Sequence, residues 1–327
     1  MATFNEERYY GVEIEIRDWQ VRQDGRQYHI SMLQVARWIN SIDGITCHSR
    51  GYTHDTTPYW KVVYDTTCGW EVVSPKLKGF EGLSQIRKVV KKLKAHGAVI
   101  DARCGLHVHH DASNLTPNAY VSVGMIYGRL QSAIEKLFLK PERHGSRDNI
   151  YCRTLGARRL GTLKKLARLS ASPAFVAQAA EREFGGIFRY STVNYLSYLR
   201  HGSIEFRQAH ATLNPVEVTA WVVFTQLIVN KAEDVDDAST VNFMDMHNRL
   251  YENTNIAFNK VEPTGSMYRY TTDGRPSPEA RAIYLNAVRW LASLNTKYGK
   301  QKYEVDCQFE MAAIDALVKV RDDEARM

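Results

Sequence analysis

The run Gly11-Val12-Glu13-Ile14-Glu15-Ile16-Arg17 constrains this chain more than any other segment. Side chains of an extended strand alternate between faces, so residues two apart line up. One face of the run carries Glu13, Glu15 and Arg17, and the other carries Val12, Ile14 and Ile16. The pattern returns in residues 106–111, where His107, His109 and Asp111 oppose Leu106 and Val108. It returns again in 203–207, with Glu205 and Arg207 opposite Ile204 and Phe206, and the short run 69–73 adds Glu71. A solvated outer face is the plain reading of any one such strand, because half-exposed antiparallel sheets alternate in this way.

Three features count against that reading when the strands are taken together. The polar residues are Glu, His and Arg instead of the Thr, Lys and Ser usual on an exposed strand face. Glu is disfavoured in strands, so two in one short strand need a reason. Glycine stands near the charged residues, as Gly69 before Glu71 and Gly105 before His107, where a ligand or another chain segment can approach closely. If the faces coincide, several carboxylates meet one or two imidazoles and an arginine or two. Such carboxylates repel one another unless cations neutralise them. Hard divalent ions, Mg²⁺ or Mn²⁺, suit carboxylate oxygens, and arginines beside them suit phosphate. The chemistry indicated is phosphoryl transfer or another metal-assisted reaction on an anionic substrate.

Around these strands the sequence predicts an α+β domain. Residues 9–19, 59–65, 70–74, 98–101 and 106–111 read as strands bounded by Gly, Pro or Asp. Residues 31–42 and 83–96 show apolar residues at helical spacing, with Ser31 as an N-cap and Gly97 past the second C-terminus. Thr116 and Pro117 open a longer helix over about 118–139. Residues 189–198 and 203–208 read as a hairpin around Arg200-His201-Gly202, and Asn214-Pro215 opens a helix to about Lys231. Beyond residue 233 the strand texture ends. Residues 234–327 read as a helical extension, with helices near 239–253, 278–293 and 307–321, appended to a catalytic domain of residues 1–233.

At 327 residues, 44% of them apolar, the chain can bury a substantial core. No stretch approaches the roughly 20 apolar residues of a membrane span; the nearest, 218–229, reads as a buried helix. The N-terminus shows no apolar signal-peptide core, and five scattered cysteines do not form a disulfide framework, so a reduced, cytoplasmic setting is expected. Net charge is +7. Much of the excess lies from Lys140 to Arg168, where Arg143, Arg147, Arg153, Arg158, Arg159, Lys164 and Lys165 stand against Glu142 and Asp148. That segment is either a solvated basic face or a collar for phosphates or an acidic substrate.

The motifs GVEIEI, YDTTCGWEVVSPKLKG, GLHVHHD, RDNIYC, RYSTVNY and SIEFRQAHATLNP, followed by Trp221, occur in that order. Together, over residues 9–228, they resemble the amidoligase family, whose fold is related to glutamine synthetase and glutamate–cysteine ligase. The resemblance implies a glutamine synthetase-like antiparallel sheet with one catalytic face and helices packed on the other. It also implies an ATP-dependent carboxylate–amine ligase, in which ATP phosphorylates a carboxylate and an amine attacks the acyl phosphate. By the same resemblance Glu13 and Glu15 would each serve a different Mg²⁺ or Mn²⁺ ion, Glu71 would support the first, and His107 with Glu205 the second. His109 and Arg207 would face substrate carboxylate or transferring phosphate, Arg189 and Asn194 are further catalytic candidates, and Arg189 and Arg207 would contact ATP. Asp65 falls in the family's Asp-x-Ser/Thr position, as a turn or a catalytic residue. The partners implied are small-molecule or peptide carboxylates and amines, and related synthetases assemble from several copies.

Two places depart from the synthetase pattern. Ser203 stands where an arginine would contact ATP, which turns attention to residues 143–168, and only Glu71 is present where two glutamates would serve the first metal. Two other functions compete. A zinc hydrolase would use Cys104, His107, His109 and His110, although His110 cannot share the face of the other two histidines. A non-catalytic nucleic-acid-binding or scaffold protein would use the basic segment from Lys140 to Arg168. Trp38, Trp221, Trp290 and Cys152 are expected in the core.

Overall fold

The fold follows from the alternation, in a computed structural model that describes residues 4–21, 25–138 and 150–234. Nine strands form in chain order: β1 (Tyr10–Ile16), β2 (Trp19–Val21), β3 (Gln27–His29), β4 (Cys47–Ser49), β5 (Trp60–Asp65), β6 (Gly69–Val73), β7 (Gly105–Asp111), β8 (Val193–Asn194) and β9 (Ser203–His210). The helices are α1 (Met32–Asn40), α2 (Gly79–Ala95), α3 (Pro117–Phe138), α4 (Gly156–Leu169), α5 (Pro173–Phe184), the short α6 (Tyr198–His201) and α7 (Pro215–Glu233). Seven strands make one sheet in the order β4-β5-β6-β1-β7-β9-β8. It is antiparallel except for the parallel β4–β5 edge, and β2 and β3 form a separate ribbon.

One side of the sheet is the core. Val12, Ile14 and Ile16 of β1, Leu106 and Val108 of β7, and Ile204 and Phe206 of β9 are all buried. Each such side chain contributes roughly 1.5–3 kcal/mol by leaving water. Helix α2 supplies the matching stripe, with Leu83, Ile86, Val89, Val90 and Leu93 buried at helical spacing. Helix α7 packs against α2, α3 and β7. Its residues from Val218 to Val229 are buried nearly all round, as its apolar run predicts.

The helix ends follow local rules. Ser31 Oγ accepts from Gln34 N to cap α1, and Thr116 Oγ1 accepts from Ala119 N to cap α3. Gly97, at φ +72°, ends α2 in the left-handed region, where a side chain would be strained.

Several expectations need correction. Residues 98–101 form no strand; Ala98 makes one isolated bridge to Gln20, and the Val99 carbonyl accepts from Arg17 N. The first strand stops at Ile16, and Trp19 begins the ribbon instead. Residues 189–198 form no continuous strand: a 3-10 turn over Gly186–Tyr190 leads into the two-residue β8 and then α6. The antiparallel pairing of β8 with β9 does form, with Gly202 (φ +64°) closing α6 before β9. Helix α4 occupies part of the stretch read only as basic, with Leu160, Leu163 and Ala167 supplying a buried stripe beneath its charges, and α5 lies in a stretch for which no element was expected. Trp38, Trp221 and Cys152 are in the core. Trp290, Arg143, Arg147 and the expected helices beyond residue 234 lie outside the described residues.

The four described cysteines, Cys47, Cys68, Cys104 and Cys152, are buried and free. Among the described residues no helix is long and apolar enough to cross a membrane.

Candidate active site

The other side of the sheet gathers the charge, strand by strand. Register pairs Glu15 with Glu71 between β1 and β6, and Glu13 with His107 between β1 and β7. Across the next two strands it pairs His109 with Glu205, and Glu205 with Asn194. Between the pairs Leu106–Ala209 and Val108–Phe206, β7 advances two residues while β9 advances three, so a bulge lies opposite His107. Bulges of this kind re-aim side chains, and this one sits beside Arg207. Gly69 sets the entry to β6: at φ +118°, a Cβ there would lie 2.8 Å from Asp18 N. The close approach that its glycine predicts is thus to another part of the same chain.

His107 is the hub. Its Nδ1 is 3.0 Å from Glu13 Oε2, 3.6 Å from Glu205 Oε1 and 3.9 Å from Glu71 Oε1. Its Nε2 is 3.5 Å from Glu15 Oε1, while Glu15 Oε2 accepts from the Gly105 amide. Nε2 of His109 lies 3.3 Å from Glu13 Oε1 and 3.9 Å from Glu205 Oε1, buried and without a hydrogen bond to either. Its Nδ1 meets the hydroxyls of Ser203 (3.0 Å) and Ser197 (3.1 Å), which also bond each other. Glu205 is held from the other side by Asn194 Nδ2 at 2.6 Å and by an ion pair with Arg207. The guanidinium groups of Arg189 and Arg207 stand 4.8 and 5.9 Å from the ring centre of Tyr190.

Burial and crowding set the charges. Burial pushes the Glu13 carboxyl up, but His109 and His107 beside it hold it well below the usual range. Glu205 is likewise held low, against its burial, by Arg207, His109 and His107. Glu71 goes the other way: burial, and then the charges of Glu13, Glu15 and Asp65, push it well above the usual range. Burial disfavours a charged His109, yet Glu13 and Glu205 outweigh it and raise its pKa.

Two sets of donors could each hold a cation. Glu13, Glu71 and His107 form one and Glu13, His109 and Glu205 the other, with the donor atoms of each set within 4.8 Å of one another. Glu13 is common to both, and Glu15 belongs to neither. The donor set fits a pair of hard divalent ions. Burial and the neighbouring carboxylates push Glu71 well above the usual range, a cost that a bound cation would relieve, and the buried Nε2 of His109 lies within 4 Å of Glu13 and Glu205.

These residues floor a cleft of about 750 Å³, whose walls include Arg189, Arg207, Arg103, Arg200, Tyr190 and Asn194. A smaller adjoining chamber of about 90 Å³ shares Glu13, Glu71 and His109, and adds Lys61, Lys76, Asp55 and Asp111. The expected site residues Glu13, Glu15, Glu71, His107, His109, Arg189, Asn194, Glu205 and Arg207 all line the large cleft. No described arginine of residues 150–168 does so, which leaves the arginine supply to Arg103, Arg189, Arg200 and Arg207. Arg17, placed by alternation beside Glu15, is drawn away to Asp101 and the Cys68 carbonyl. Asp65 lines the cleft but spends Oδ1 on Thr67 N, Thr67 Oγ1 and Cys68 N, an Asx turn that carries the chain toward Glu71.

The proposed zinc ligands separate. His110 points into the core and bonds Thr225 Oγ1 at 2.8 Å, and Cys104 is buried with Cys68 and Ala211. Sequence reasoning missed Ser197, Tyr190 and Lys61, and read Ser203 only as a missing arginine. Lys61 shared the alternation of its strand with Val63 and Asp65, the one signal available; its ammonium bonds the Asp55 and Thr53 carbonyls and so holds the loop over the cleft. Ser197 had no signal, because α6 brings it round to His109 only in three dimensions.

No curated protein matches the chain. A family model described as "Putative amidoligase enzyme" matches residues 6–229, a span that runs from just before β1 into α7 and contains every side chain placed in the cleft. With two thirds of its length so matched, the chain belongs to the amidoligase family.

Proposed function

We propose that the protein is an ATP- and Mg²⁺-dependent (or Mn²⁺-dependent) carboxylate–amine ligase that forms an amide or isopeptide bond through an acyl phosphate. The observation that carries the reading is the convergence of Glu13, Glu71, His107, His109 and Glu205 on one floor beneath arginine-bearing walls. Glu13, Glu71 and His107 would hold one ion, and Glu13, His109 and Glu205 the other. When bound, such ions neutralise the carboxylates and spread the charge of the transferring phosphoryl group.

The chain's own side chains supply the rest. Arg207, held by Glu205 and beside the Tyr190 ring, would serve as a donor to phosphate oxygens, with Arg189 beside the same ring. Asn194 keeps Glu205 in place through one bond and, through Oδ1, accepts from Leu196 N at 2.9 Å. Thr53 and His54 line both chambers, and shielding there would serve an intermediate that water would destroy. A glutamine synthetase-like origin of the sheet accords with this layout.

A screen of carboxylate and amine pairs for ADP release tests the reading. The expected product mass is the sum of the two substrates less one water. Wild-type protein that binds no ATP–Mg²⁺ would overturn it.

A further inference from the structure

We propose that the smaller chamber binds the head group of a free α-amino acid, with Lys61 as the partner of its carboxylate. The proposal rests on the ligase reading above and names one of its two substrates. Lys61 stands on β5 in the cross-strand row that runs through Val73 and Glu13 to His107. It is 3% exposed, and its ammonium donates to the Asp55 and Thr53 carbonyls. An ammonium has three donors, so the two carbonyls leave one. Among the described residues, lysine ion pairs within 4 Å form at Lys78 and Lys231 and not at Lys61. A buried charge without a counter-ion is costly. Burial accordingly lowers the pKa of Lys61, against the pull of Glu13, Glu71 and Asp55. Cations on Glu13 and Glu71 would cancel much of that pull, and an incoming carboxylate would replace it.

The two chambers divide the cations by kind. Arg103, Arg189, Arg200 and Arg207 line the large cleft, while Lys61 and Lys76 line the small chamber. Guanidinium forks suit the many oxygens of a triphosphate, which assigns the nucleotide to the large cleft. Asp55 and Asp111 also line the small chamber, and they accept from the hydroxyls of Thr53 at 2.9 Å and Ser113 at 3.0 Å. Two lysines beside two aspartates match a zwitterion better than a phosphate or a simple amine.

Size agrees with charge. The chamber holds about 90 Å³, less than the roughly 150 Å³ cavity that takes up benzene, so it admits a head group of few atoms. Neighbouring strands lie about 4.8 Å apart, which puts the Lys61 backbone roughly 10 Å from that of Glu13, with Val73 between them. A ligand anchored at Lys61 therefore presents its other end to the ion sites at Glu13.

Calorimetric titration of the full-length chain, loaded with Mg²⁺ and a non-hydrolysable ATP analogue, tests this with each standard amino acid and then with the carboxamide of the tightest binder. Wild type is expected to bind the acid about 10-fold or more tightly than its carboxamide, the scale of one charge-assisted bond. Lys61→Gln keeps two donors for the loop carbonyls and removes the charge. It is expected to weaken the acid to the level of the carboxamide and to leave the affinity for the ATP analogue unchanged. A lysine that only pins the loop would instead weaken acid and carboxamide together, keeping their ratio, and that result overturns the proposal. Binding of no amino acid, or equal wild-type affinity for acid and carboxamide, overturns it too, while bound analogue leaves the ligase reading intact. A chain that binds no analogue would sink the ligase reading, and the same titrations without analogue would still decide the chamber. Should Lys61→Gln not fold, Lys61→Arg takes its place and must keep the wild-type ratio.

Discussion

His109 and His110 are neighbours in one strand, yet they live in opposite chemistries. His109 lies on the charged face, where Glu13 and Glu205 overcome the cost of its burial and raise its pKa. His110 lies on the core face, where burial, with Arg8 and His109 adding to it, drives its pKa well down and keeps the ring neutral on Thr225. One step along a strand thus exchanges a candidate ligand for a structural residue. The sheet is a partition: its core side supplies stability, and its charged side gathers like charges at a cost that bound cations would offset.

The sharpest break in that comparison is a charge removed from the cleft. Glu205→Gln should lower ATP turnover by at least ~100-fold, on the scale of losing one preorganised electrostatic group, while circular dichroism shows the fold retained. Turnover like wild type would make the charged face ornamental.

Next in size is Arg207→Met, which leaves Glu205 buried without its cation. Breaking such a pair costs about 3–5 kcal/mol. Chemical denaturation should show a loss of that order, with added Mg²⁺ recovering part of it because the ion supplies the missing countercharge. Equal losses with and without Mg²⁺ would separate Glu205 from the ion site.

On the opposite face, His110→Asn should cost roughly 1–3 kcal/mol through its lost bond to Thr225 and leave Mn²⁺ binding unchanged. The pH dependence sharpens the contrast. In metal-free protein the raised pKa of His109 contributes stability that is present below about 6.5, the ordinary value, and is lost as pH rises through its folded value. The lowered pKa of His110 acts oppositely: its stabilising neutral form is complete above about 6.5, and protonation favours unfolding as pH falls below it. The stability gap between wild type and His110→Asn in urea should therefore be widest above pH 6.5 and narrow in acid. A gap independent of pH would mean that His110 is not held neutral.

The smallest effect is expected from Asp65→Asn. Its Oδ1 can still accept the Thr67 and Cys68 amides, so stability should change by less than about 1 kcal/mol and Mn²⁺ binding should persist. Loss of an ion would give Asp65 a ligand role in place of the turn.

Much of this partition was legible beforehand, because period-two alternation is a one-dimensional record of which side chains share a face. Glu13, Glu71, His107, Glu205 and Arg207 could be grouped without knowing the strand order. What alternation cannot carry is the approach of separate segments. Ser197 reaches His109 from a short helix, Lys61 pins a loop through backbone carbonyls, and Gly105 engages Glu15 through its amide. Helix α4 was obscured for another reason: its charges mask the buried stripe at Leu160, Leu163 and Ala167.

The central claim is that one carboxylate, Glu13, joins two cation sites on the charged face. Calorimetric titration of Mn²⁺ into wild type and Glu13→Gln tests it most directly. The account predicts two bound ions in wild type and none of comparable affinity in Glu13→Gln, with both proteins folded. Two ions bound by Glu13→Gln with wild-type affinity would contradict it.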